Sequence, residues 1–250
     1  MAADGDDDDA DVDDVDATVV DDVDDADDDD ATVVDDLSFA ALLAEPGVEE
    51  HSELRSRFGF MAYHGGALEV MTDVIARAAA DASGASYYGV RQPDGMRHHL
   101  PSIRVRPAES PALAAFVDHV DVVVTIHGFG RRGLFTSLLL GGRNRHLAEH
   151  VAAHLCPALP AYDVVTDLDH IPSALRGLHS DNPVNLPTQG GVQIELPPRV
   201  RGSSPLWWDW ERGLTPHTAA LVDALAAACT TWSSATDDRP ALGGCRDAAR

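Results

Sequence analysis

Lysine is absent from this chain of 250 residues, and all 18 of its bases are arginine. With alanine abundant as well, this reads as the coding bias of a GC-rich genome rather than as chemistry. Cysteine is scarce. Cys156, Cys229 and Cys245 are odd in number and far apart, which excludes a CxxC metal knuckle, argues against a disulfide framework and makes a reducing compartment the default. No apolar run approaches the roughly 20 residues that span a bilayer. The N-terminus lacks both the basic and the apolar regions of a signal peptide. Positive charge is also short, at a formal net charge of −24. Such a chain does not favour nucleic acid or anionic membrane, because holding phosphates takes cations that displace the counterions.

The negative charge is unevenly placed. Residues 1–36 hold 19 of the 42 acidic residues and no base, leaving 23 acids against 18 arginines elsewhere, an ordinary surface balance. The repeated "ATVVDD" (17–22 and 31–36) marks low complexity. So dense a charge cannot bury enough apolar surface to offset chain entropy, so residues 1–37 are expected to form a disordered acidic arm that aids solubility or binds calcium or a partner. The folded domain is expected over 38–230, followed by a flexible tail over 231–250.

Within 38–230, strand and helix patterns alternate after a first short helix in "LSFAALLAEP" (37–46). "FGFMAY" (58–63), "SYYGVR" (86–91), part of "MRHHLPSIRV" (96–105), "DVVVTIHG" (121–128), "LFTSLLLGG" (134–142) and "GGVQIEL" (190–196) read as strands. Helices are expected over 67–83, 110–120, 143–156 and 215–229, the second opening on Ser110-Pro111. Alternation of this kind gives an α/β sheet covered by helices on both faces.

The chemistry-bearing residues fall at strand ends. His64 and His127 each close an apolar strand and each precede glycine ("YHGG" and "IHGF"). If those strands are parallel, both imidazoles lie at the carboxyl edge where α/β sheets collect ligands. Glu69 follows His64 by five residues across Gly65-Gly66, so a tight turn can bring its carboxylate back to the imidazole. Two histidines and one carboxylate with a fourth position open are the ligand set of catalytic zinc. Taken alone, Glu69 reads better as an acid at the positive end of a helix; beside two strand-end histidines it reads as a ligand. Glu195 interrupts an apolar strand, where a carboxylate is costly to bury without a partner; it suits a base serving a metal site or, on an edge strand, an exposed acid.

Other motifs invite weaker readings. "HGFGRRG" (127–133) has GxGxxG spacing, but no helix pattern follows it, so a dinucleotide site is not expected. His146, His150 and His154 follow at i, i+4 and i+8 and read as one polar helix face. Trp207, Trp208 and Trp210 read as packing beneath a loop or as the wall of a substrate cleft.

"YHGGALE", "TIHGFG", "LLLGGRNRHLAEHV" and "DNPVNLPTQGGVQIELPPRVR", in this order over roughly residues 58–202, resemble the poly-γ-glutamate hydrolase family. The resemblance implies a mixed, mostly parallel α/β sheet flanked by helices, related to the zinc carboxypeptidases. It implies Zn²⁺ held by His64, Glu69 and His127, with Glu195 as catalytic acid/base. Arg201, and less directly Arg199 and Arg143, become candidates to hold carboxylates of a polyglutamate chain, to which a forked guanidinium is suited. The implied activity is zinc-dependent hydrolysis of γ-glutamyl amides. Small acyl-amino acids, cell-wall peptides, or binding without catalysis are the alternatives. Absence of a signal peptide suggests the cytoplasm, whereas the resemblance suggests an extracellular polymer as substrate.

Overall fold

The computed structural model describes residues 32–33, 37–210 and 213–233. Nine strands and six α-helices follow in chain order: β1 (Thr32–Val33), α1 (Phe39–Leu43), β2 (Glu49–Glu53), β3 (Phe58–Gly66), α2 (Thr72–Ser83), β4 (Ser86–Gln92), β5 (His98–His99), α3 (Pro111–His119), β6 (Val122–Gly128), β7 (Ser137–Leu140), α4 (Arg145–Ala158), β8 (Asp163–Val165), β9 (Gly191–Leu196), α5 (Pro198–Arg201) and α6 (Pro216–Thr231). Most of the expected acidic arm and of the expected C-terminal tail lies outside the described residues. Within the arm, Thr32–Val33 pair in parallel with His98–His99.

Seven strands form one sheet in the order β2-β4-β3-β6-β9-β7-β8. The pairings β4-β3, β3-β6, β6-β9 and β7-β8 are parallel, while β2-β4 and β9-β7 are antiparallel. The sheet is therefore mixed and mostly parallel. Alternation along the central strands fills two cores. Phe58, Phe60 and Ala62 of β3 and Val122, Val124 and Ile126 of β6 pack with α2, α4 and α6. Met61, Tyr63 and Val123 pack on the opposite face with Phe39 and Leu42 of α1 and Leu113 and Phe116 of α3. Helices flank both faces.

Local sequence explains most element ends. Ser110 caps α3 by accepting from Leu113 N, with Pro111 at the first helical position, and Thr215 and Pro216 open α6 in the same way. Asn144 caps α4 through Leu147 N, so the helix expected from 143 begins at Arg145. The helix expected over 67–83 begins only at Thr72, because residues 67–71 are spent on a reversal of the chain. β2 ("EEHSE") is an additional edge strand that carries no apolar residue, and the short β8 ("DVV"), with Val164 and Val165 buried, is the edge strand at the other end of the sheet. Cysteine needs a correction too. Cys156 is disulfide-bonded, which wide spacing does not prevent, while Cys229 is a free thiol. No described helix is long and apolar enough to cross a membrane.

Candidate metal and catalytic centre

β3 and β6 are adjacent and parallel, so His64 and His127 do reach the same sheet edge. Glu69 joins them by way of the glycines. The register of β3 against β4 shifts between Ala62 and Gly65, and Gly66 adopts φ +75. A Cβ at Gly66 would stand 2.1 Å from Gln92 O, and one at Gly65 would stand 2.5 Å from the Asp73 side chain. Only glycines fit there. The turn then closes with Glu69 N donating to His64 O at 2.9 Å, and Met71 completes the reversal at φ 76. A left-handed methionine is uncommon and costs free energy, a feature that gathers at functional sites.

The three side chains converge. His64 Nδ1 lies 2.8 Å from Glu69 Oε1, and His127 Nδ1 lies 3.4 Å from Glu69 Oε2. Gly128 N donates to Glu69 Oε2 at 2.9 Å. One donor atom from each residue falls within 4.8 Å of the other two, and all three residues are buried. That spread exceeds the separation of about 4 Å expected for bonds of about 2.0–2.2 Å, so a bound cation would draw the set slightly together. The far ring nitrogens are already engaged: His64 Nε2 donates to Leu100 O at 2.9 Å, and His127 Nε2 stands 3.0 Å from Tyr63 Oη. Donation from Nε2 leaves Nδ1 as the bare, metal-facing nitrogen, the usual outer support of a ligating histidine. The donor set fits a divalent cation.

Glu195 completes the centre. It is the cross-strand partner of His127 and belongs to β9, an interior strand between β6 and β7, so the edge-strand reading is excluded. Burial raises its carboxyl to about 7, with Glu69 adding to the shift and His127 opposing it. Glu69 behaves in the opposite way. Burial pushes its carboxyl up, but His64 and His127 more than offset this and hold it well below the usual carboxylate range. The two carboxyls are thus pushed in opposite directions, Glu69 down and Glu195 up.

A cleft of about 700 Å³ opens over these residues, lined also by Gln193, Asn182, His179 and Arg176. Arg176 is the arginine in that lining, and the sequence reading passed over it. Its Nε donates to Ile171 O at 2.8 Å, and its carbonyl accepts from Gly142 N at 2.7 Å. Gly141 allows this approach, since a Cβ there would meet Arg176 O at 2.3 Å. The three arginines singled out in the sequence stand elsewhere. Arg201 is buried under Gly128 and donates to Leu196 O at 3.0 Å and to Val70 O at 2.9 Å. Arg199 lies over the Tyr162 ring, and Arg143 donates to Leu178 O. Trp207 packs on His217 and Trp208 is exposed; neither lines the cleft. No helix follows "HGFG", as the dinucleotide pattern would need.

A His-Glu-His cluster that can hold a metal ion thus lies at the parallel strand ends of an α/β sheet, with a buried acid in the same cleft. The poly-gamma-glutamate hydrolase family model matches residues 37–204, and the chain belongs to that family of amide-bond hydrolases. Among solved structures, a bacteriophage poly-gamma-glutamate hydrolase superposes with a TM-score of 0.61 at 20% identity, covering 72% of this chain and 87% of that one. The zinc-free apo form of YNDL superposes with a TM-score of 0.61 at 18% identity, covering 74% and 90%. A putative carboxypeptidase A from Shewanella denitrificans OS-217 follows with a TM-score of 0.47 at 14% identity, covering 76% and 66%. No curated protein matches in sequence.

Proposed function

We propose that this centre hydrolyses γ-glutamyl amide bonds of a polyglutamate chain, with Zn²⁺ held by His64 Nδ1, a carboxylate oxygen of Glu69 and His127 Nδ1. Family membership supports the substrate. The observation that carries the chemistry is the placement of Glu195, which is buried, paired across strands with His127 and open to the cleft. When bound, zinc supplies Lewis acidity for a carbonyl and an acidified water. Glu195 takes the proton of the attacking water as the new C–O bond forms. It then passes that proton to the amide nitrogen as the C–N bond breaks, so the amine leaves neutral and the base is restored.

Recognition of a polyanion requires a cation in the cleft, and Arg176 meets that need. Its Nε is anchored on Ile171 O, and it forms no ion pair among the described residues, which leaves the outer fork for a substrate α-carboxylate. Arg201 acts indirectly in this account, holding Leu196 O and Val70 O so that Glu195 and Glu69 keep their places. The test is hydrolysis of γ-polyglutamate followed by size-exclusion chromatography, with α-linked polyglutamate, acyl-amino acids and cell-wall peptides alongside. Shortening of the γ-linked polymer, its loss with a chelator and its return with Zn²⁺ are expected. An intact γ-polymer after incubation with zinc-loaded enzyme would refute the substrate assignment.

A further inference from the structure

Beside the centre, three buried uncharged residues join His127 to Glu195. Tyr63 Oη lies 3.0 Å from His127 Nε2 and 3.3 Å from Asn182 Oδ1. Asn182 Nδ2 donates to Gln193 Oε1 at 2.9 Å, and Gln193 Nε2 donates to Glu195 Oε1 at 2.7 Å. Tyr63, Asn182 and Gln193 are 1%, 4% and 4% exposed, the two amides at the wall of the cleft. The chain runs one way, and a backbone contact sets its direction. Asn182 Oδ1 accepts from Val184 N at 3.2 Å, so its Nδ2 is left to donate to Gln193 Oε1. Gln193 then presents its NH₂ to Glu195 Oε1. Tyr63 therefore donates to Asn182, and its oxygen is left to accept from His127 Nε2.

This direction matters at each end. It holds the proton of His127 on Nε2, leaving Nδ1 bare toward Glu69 and the cation site. It also occupies Oε1 of Glu195, while Oε2 accepts no hydrogen bond from the described residues. Apolar side chains of similar volume would fill the space without the desolvation cost of two amides and a phenol, so packing does not account for them. Gly177 is fitted to the arrangement, since a Cβ there would stand 2.6 Å from Gln193 Oε1.

We infer that Tyr63, Asn182 and Gln193 are positioning residues that form a single directional hydrogen-bond chain, which presents His127 Nδ1 to the cation and leaves Glu195 Oε2 as the oxygen that takes the proton. The inference rests on the hydrolase reading for its kinetic consequences but not for its consequence on metal affinity. A cation at Nδ1 makes Nε2–H a stronger donor, and a continuous chain passes that polarisation on to Gln193 and Glu195.

The test compares wild type with Tyr63→Phe, Gln193→Met, their double variant and Asn182→Asp. Zinc affinity is measured by competition with a chromogenic chelator, and kcat and KM on γ-polyglutamate at saturating zinc. Tyr63→Phe is expected to weaken zinc binding about 10–100-fold, the usual cost of losing an outer partner of a ligand. Gln193→Met should leave zinc affinity near wild type and lower kcat on the order of 10²-fold with KM little changed, as for a misplaced catalytic group. Asn182→Asp keeps shape but cannot donate to Gln193, so kcat should fall although zinc is still bound. The kcat losses of Tyr63→Phe and Gln193→Met should combine to less than their product, as for members of one network. Wild-type zinc affinity in Tyr63→Phe, or fully independent kcat losses, would overturn the chain. If wild type proves inactive on γ-polyglutamate, the hydrolase reading fails, and the affinity measurements alone still decide the chain. Should Tyr63→Phe not fold, Asn182→Asp decides, and full kcat in that variant would overturn the chain.

Discussion

Two groups of histidines differ in a way that explains what makes a site. His64 and His127 come from separate strands, are 3% exposed each, and meet a carboxylate that belongs to neither strand body. His146, His150 and His154 share one face of α4 and carry no comparable acid. Instead His150 Nε2 binds Ala228 O at 2.9 Å, His154 Nε2 meets Thr231 Oγ1 at 2.9 Å, and the rings of His146 and His150 pack edge-on or tilted against Trp232 at 5.1 and 5.2 Å. Both groups have regular spacing in sequence. Only the first converges on a carboxylate with the outer ring nitrogens already engaged. The α4 stripe fastens the end of α6, with His150 and His154 half-buried and His146 exposed.

The largest effect separates the groups outright. His127→Ala should abolish stoichiometric zinc binding and activity, whereas His150→Gln should leave both at wild-type levels, measured by metal analysis and turnover of γ-polyglutamate. Glu195→Gln comes next, lowering kcat by about 10²–10⁴-fold, the range for a lost general acid/base, while zinc stays bound. Retained turnover in that variant would favour a mechanism without this base. Arg176→Ala should raise KM about tenfold with kcat largely kept, and Arg176→Lys should recover only part of the loss, because an ammonium lacks the fork.

A smaller effect is on stability. In the metal-free protein the folded carboxyl of Glu195 is raised to about 7 from 4.5, so between these values the native state holds a proton that the unfolded chain releases. Stability therefore falls as pH rises through that window, and Glu195→Gln lacks this contribution. Denaturant melts of both proteins from pH 4.5 to 7 should show wild type losing ground to the variant. Least of all, His150→Gln should cost about 1 kcal/mol through its lost hydrogen bond.

How much of this was legible in the sequence depends on distance along the chain. His64 and His127 announce themselves because apolar β-strands end in His-Gly twice, and Glu69 is within a turn of the first. Glu195 shows because it breaks an apolar run while keeping the alternation of β9. Tyr63 does not show, since in "FMAYHG" it reads as one more core aromatic. Its part depends on Asn182, 119 positions away, and on Gln193, a further 11 on, and no local pattern records such contacts. Arg176 is hidden in a loop of 3₁₀ turns and bends, while Arg201 follows the motif closely but spends its donors on carbonyls. β2 escaped for a simpler reason: as an exposed edge, it needs no apolar face.

The proposed chemistry needs one cation shared by residues from two strands and a glycine turn. Metal analysis of the purified, zinc-equilibrated protein, set beside a Glu69→Gln variant, tests this most directly. One zinc per chain in wild type, and markedly less in the variant, is the predicted result. No stoichiometric zinc under any loading condition, or full hydrolysis by a verified metal-free sample, would contradict it.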